Sequence, residues 1–76
     1  NNLSDIPNEI FSKYYLKILD LSDNQIKSIP RKIGNLLELK ELLLNYNNIE
    51  TIPIEIGNLL NLEKLWLYDN KIEIIT

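Results

Sequence analysis

Residues 16–38 read LKILDLSDNQIKSIPRKIGNLLE and residues 39–61 read LKELLLNYNNIETIPIEIGNLLN. Laid one over the other, they agree at a period of 23 residues. Leu16, Leu39 and Leu62 fall in phase, as do Leu19, Leu42 and Leu65, and then Leu21, Leu44 and Leu67. Asn24, Asn47 and Asn70 follow, with Ile26, Ile49 and Ile72 two places on and Ile29, Ile52 and Ile75 three places after those. Pro30 and Pro53 share a phase, and so do Ile33-Gly34-Asn35-Leu36 and Ile56-Gly57-Asn58-Leu59. A fixed period of this length marks a stacked-repeat architecture, in which each unit buries its apolar face only against its neighbours. Such a fold presents an extended surface rather than a deep pocket.

Each position of the period has a physical task. Leu19 and Leu21 are two apart, so both side chains lie on one face of a short strand, and Leu42/Leu44 and Leu65/Leu67 repeat the spacing. Successive strands are separated by a return stretch too long for a hairpin, which predicts parallel neighbours about 4.8 Å apart with stacked interior leucines. The asparagines sit where the chain leaves the strand. Asn24 and Asn47 are expected to be buried, satisfying bent backbone groups that no ladder reaches. Pro30 and Pro53 fix φ and suit the first position of a helical turn. Ile33 and Ile56 then enter the interior, and Leu36 and Leu59 close it. Gly34 and Gly57 are expected to take a backbone conformation costly to other residues. The return is too short for a long helix and predicts a 3₁₀ or irregular segment.

The chain of 76 residues makes one domain, divided by the period into a partial unit 1–15, units 16–38 and 39–61, and a partial unit 62–76. It reads as a piece of a longer array or as a minimal one. The first unit departs from the pattern: Phe11 stands in the glycine phase and Lys13 in that of Leu36 and Leu59. Tyr14 or Tyr15 is expected to fill the hole. Neither end shows a polar cap. Leu3, Ile6, Ile10 and Phe11 at one end, and Leu62, Leu65, Leu67, Ile72 and Ile75 at the other, are expected to lack a neighbour, which would cost several kcal/mol unless something covers them.

Composition excludes several functions. A net charge of −3 argues against a general nucleic-acid binder, which needs a basic stripe. No apolar run reaches the roughly 20 residues of a membrane span. Cysteine and histidine are absent, which removes thiolate and imidazole metal sites and every nucleophile–histidine pairing. Neither a glycine-rich phosphate loop nor any cofactor motif occurs. The chain is expected to be no enzyme and to need no cofactor. Absence of cysteine favours a reducing compartment, so a cytoplasmic location is the expectation, and the triplet Asn2-Leu3-Ser4 carries little weight against it.

The pattern L-x-x-L-x-L-x-x-N-x-I-x-x-I-P-x-x-I-G-N-L resembles the leucine-rich repeat, over the whole chain. The 23-residue spacing is similar to the subclass of Ras-suppressor-like and many bacterial and protist proteins. It departs from the plant receptor pattern, since Lys27-Ser28 and Glu50-Thr51 occupy the region where that pattern has a glycine. The resemblance implies an α/β-class solenoid arc, with a short parallel sheet on the concave face and 3₁₀ or irregular segments on the convex face. It also implies that the partner is another protein.

Strand residues that do not point inward face out of the sheet. They are Ile18, Asp20, Ser22 and Asp23, then Glu41, Leu43, Asn45 and Tyr46, then Lys64, Trp66, Tyr68 and Asp69. Leu43, Tyr46, Trp66 and Tyr68 form an apolar and aromatic corner suited to a binding hot spot. Sheet faces also favour aromatics for cross-strand packing alone. Asp20, Asp23 and Glu41 form an acidic corner that suits a basic segment, while Glu41 and Lys64 on adjacent strands are placed to pair. The expected function is a protein-interaction module binding through the concave face. The rivals are a spacer or sensor segment of a larger signalling or catalytic protein, and a unit that self-associates through its uncapped ends. Arg31, Lys32 and Glu55 on the far side offer a different surface.

Overall fold

A computed structural model describes residues 3–73. Its elements alternate: 3₁₀ turn η1 (Asn8–Ser12), β1 (Ile18–Asp20), η2 (Arg31–Asn35), β2 (Glu41–Leu43), η3 (Ile54–Asn58) and β3 (Lys64–Trp66). The strands form one parallel sheet in the order β1-β2-β3. Ile18, Leu19 and Asp20 pair with Glu41, Leu42 and Leu43, and these pair with Lys64, Leu65 and Trp66. The register shift between neighbours is therefore one period, and the leucines stack in columns. A second parallel bridge, Ser28 to Thr51, joins the coils past the asparagine turn. Among the described residues no helix is long and apolar enough to cross a membrane.

The convex segments form for the reason the prolines suggest. Pro30 and Pro53 precede their turns with φ of −66° and −70°. Ile33 N–H then donates to the Pro30 carbonyl at 3.1 Å and Leu36 N–H to Ile33 at 3.2 Å. Ile56 and Leu59 repeat this pattern at 3.2 and 3.0 Å. These i→i+3 bonds satisfy backbone groups in a segment too short for an α-helix.

The interior is deepest in the middle. Ile26, Ile33, Leu36, Leu39, Leu42, Leu44 and Ile49 are completely enclosed. Leu62, Leu65, Leu67 and Ile72 of the last unit, like Ile56, are only half-buried against that core. Ile75 lies outside the described residues. The opposite end is better closed than the sequence implies. Ile6 and Phe11 are buried, Ile10 is half-buried, and Leu3 is exposed. Phe11 does the closing. Tyr14 and Tyr15, expected to fill the space left by the missing leucine, are both exposed and stack edge-on against each other with centroids 5.7 Å apart.

The glycines also act differently from the sequence expectation. Neither has positive φ. A Cβ on Gly34 would stand 3.2 Å from both the Cβ and the carbonyl oxygen of Glu55 in the next coil. At Gly34, η2 and η3 approach so closely that a side chain would fit only if the facing Glu55 moved aside slightly. A Cβ on Gly57 would meet nothing within 4 Å, because no further coil lies against it among the described residues.

The asparagine turn performs the predicted bonding. Asn47 Oδ1 accepts from Ile26 N–H at 3.1 Å, and its Nδ2 donates to the Leu21 and Leu44 carbonyls at 3.0 Å each. One side chain thus ties two coils together. Asn70 repeats the arrangement with Ile49 N–H and the Leu44 and Leu67 carbonyls. Asn24 Oδ1 accepts from Leu3 N–H at 3.1 Å. Asn47 is buried as expected, whereas Asn24 is half-buried, since only a partial coil covers it.

Candidate functional site

The sheet's outer face is set by strand alternation. In β1 the interior Leu19 lies between exposed Ile18 and Asp20, and in β3 half-buried Leu65 lies between exposed Lys64 and Trp66. In the central β2 the flanking Glu41 and Leu43 are half-buried, because both neighbouring strands crowd them. Pairing runs on beyond the strands. Leu21 N–H donates to Leu43, Asp23 to Asn45, Leu44 to Trp66 and Tyr46 to Tyr68, at 2.8–2.9 Å. The turn residues after each strand are therefore carried on the same ladder and extend the face.

That extension ends at an unusual backbone position. Asp23, Tyr46 and Asp69, one per period, have φ of 61°, 60° and 53°. Aspartate tolerates the left-handed region, but an aromatic residue there is uncommon and pays a conformational penalty. No glycine marks these positions in the sequence. The signal that was present is the pair of aspartates in a phase that follows the strand.

The aromatic corner is assembled by these bonds. Trp66 is 42% exposed and Tyr68 67%. Their rings meet edge-on, with centroids 6.1 Å apart and planes at 62°. Tyr46, 54% exposed, joins them through its N–H on the Tyr68 carbonyl at 2.8 Å. Leu43 lies in register with Trp66 on the neighbouring strand. Asn45, read from the sequence as solvent-facing, is instead 8% exposed. Its Oδ1 accepts the Tyr68 N–H at 2.7 Å, so it positions Tyr68 rather than offering a surface. Its column, Ser22–Asn45–Tyr68, gave no hint of this, because the residue type changes at every unit.

On the acidic side, Asp20 and Asp23 are exposed and Glu41 is half-buried. Asp20 Oδ1 accepts Ser22 N–H at 3.1 Å, a local bond that shapes the strand's exit. Glu41 and Lys64 stand in register, yet among the described residues they form no ion pair. Among the described residues no three carboxylates converge as a metal site would require.

Two further surfaces appear. Tyr14, Leu37 and Leu60 share a phase just before each strand, and all three are exposed. The sequence signal was an apolar residue in that phase in every unit with no interior task. On the convex side, Arg31, Ile52, Pro53, Ile54 and Glu55 line a shallow hollow. Glu55 Oε1 is buried there without a hydrogen-bond partner.

The family described as "Leucine rich repeat" matches residues 1–49, and one described as "Leucine Rich repeats (2 copies)" matches residues 37–76. The chain belongs to the leucine-rich repeat family. A solved leucine-rich repeat protein of Leptospira interrogans superposes with a TM-score of 0.90 at 38% identity, over 95% of this chain and 18% of that one. The chain thus spans less than a fifth of the length of that similar protein. No curated protein matches the chain. Leucine-rich repeats generally mediate contacts between proteins, and membership indicates a repeat module. The arc, the parallel sheet and the 3₁₀ turns all follow that architecture.

Proposed function

We propose that the chain is a protein-interaction module that holds its partner on the concave sheet face, with Trp66 and Tyr68 as anchors and Tyr46 and Leu43 beside them. One observation carries the reading. A solvent-facing Trp–Tyr pair stands next to a third aromatic held in a left-handed backbone that its counterparts fill with aspartate. Local strain of this kind gathers where function keeps it. Large rings with few rotamers supply binding area at low entropic cost. Sheet packing alone accounts less well for these rings, since Tyr68 and Tyr46 leave more than half of their surface in water.

The test is capture of a partner from source-cell extract, comparing the chain with a Trp66→Ala/Tyr68→Ala double variant of verified fold. Loss of a captured protein by the variant supports the reading. Truncating an anchor is expected to weaken binding by about 2 kcal/mol or more. Equal recovery by both forms would move the site to the Tyr14–Leu37–Leu60 column or the convex hollow.

A further inference from the structure

The charge of the molecule is not spread over it. Every charged side chain falls within the described residues. Of the 11 acidic residues, Asp20, Asp23, Glu41 and Asp69 lie on the concave face and its extension, and of the 8 basic residues only Lys64 does. That leaves three negative charges on the face, the whole formal net charge of −3. The remaining seven acidic and seven basic residues cancel elsewhere on the surface. Among the described residues none of the four carboxylates is in an ion pair. Three of them, Asp20, Asp23 and Asp69, are exposed.

The carboxylates are interleaved with the rings. Tyr46 lies between Asp23 and Asp69 in its column, and Trp66 stands across Leu43 from Asp20, two strand spacings away or about 10 Å. Asp69 directly follows Tyr68. A surface that alternates π-faces with unpaired carboxylates suits a side chain that is apolar along its stem and cationic at its head. Arginine fits best, because its planar guanidinium stacks on a ring and also forks onto a carboxylate. Resting on the binding reading given above, we infer that the occupant of the concave face is an extended cationic segment of a partner protein, with arginine side chains laid over Trp66 and Tyr68 and directed to Asp69, Asp23 and Asp20.

Trp66 is the chain's single tryptophan and sits in the face, so its emission reports occupancy directly. The 76-residue chain is titrated with short arginine–serine, glutamate–serine and glycine–serine repeat peptides. The expected result is saturable change with the arginine peptide alone, weakening as salt rises. The triple variant Asp20→Asn/Asp23→Asn/Asp69→Asn should bind it about tenfold more weakly, through the loss of three exposed charge contacts. This variant keeps the fold, because asparagine retains the Oδ1 that Ser22 N–H uses and tolerates the left-handed positions. No saturable response to the arginine peptide, an equal response to the other two, or an undiminished response in the triple variant would each overturn the inference. The binding reading fails separately. A natural partner released by Trp66→Ala/Tyr68→Ala but still held by the asparagine triple would keep the face and discard only its preference for cations.

Discussion

Tyr46 shows how one residue carries two conflicting demands. Its φ of 60° is the same turn geometry that Asp23 and Asp69 adopt, so the backbone here is dictated by the coil and not by the side chain. A bulky residue in this region is disfavoured by contact between its Cβ and the adjacent carbonyl. With 54% of its surface in water, the ring recovers little through burial. Replacing Tyr46 by Asn should therefore raise stability by about 0.5–1 kcal/mol in chemical denaturation. The same variant should bind a concave-face partner more weakly. A fall in stability would mean that contacts of the ring outweigh the backbone cost. This position also marks a limit of sequence reading. The left-handed turn was not read from the sequence, because its only signal is the pair Asp23 and Asp69, and Tyr46 interrupts it. The outward-facing rings were legible, because leucines two apart dictate which neighbours point away from the core.

At the scale of elements, the strands and the 3₁₀ turns were readable from spacing, since Leu19/Leu21 and the prolines each impose one local geometry. What the spacing does not reveal is the distance between coils. Gly34 and Gly57 both stand in Ile-Gly-Asn-Leu-Leu, and both invite a conformational explanation. The structure separates them by what lies above each: the Cβ and carbonyl of Glu55 at 3.2 Å for Gly34, and open space for Gly57. Gly34→Ala should destabilise by about 1 kcal/mol, since the facing backbone must give way. Gly57→Ala should be neutral or stabilising by about 0.5 kcal/mol, since it narrows the unfolded ensemble at no steric cost. Paired thermal melts decide it, and equal effects at the two positions would refute the close-approach account. Asn45 belongs to the same lesson. Its burial comes from a bond to the next coil's Tyr68 N–H, a relation between elements that a single period cannot display.

Among the described residues the core is better covered at one end than at the other, although β1 and β3 are both edges of the sheet. Ile6 and Phe11 are buried, so the first coil, though partial, seals the core beneath Leu19 and Leu21. The sequence suggested two wet ends, and Phe11, standing in a glycine phase, is buried against the core at one of them, where Leu3 stays exposed. At the other end β3 is the sheet's edge, and Leu62, Leu65, Leu67 and Ile72 stay half-buried where their counterparts one period earlier, Leu39, Leu42, Leu44 and Ile49, are completely enclosed. A stacked repeat gains much of its stability from the interface with the next unit, and an edge strand beside half-wet leucines is a template for another chain. The 76-residue chain should accordingly associate through this end, with a mass by light scattering that rises with concentration. Appending one further 23-residue unit of the same pattern, polar on its outer side, should return the protein to a monomer and move its denaturation midpoint upward. The added unit flanks β3 without lying over the concave face, which separates the two surfaces. If the extended chain still associates and Trp66→Ala/Tyr68→Ala abolishes the association, the contact runs through the sheet face and the open end is tolerated as it stands.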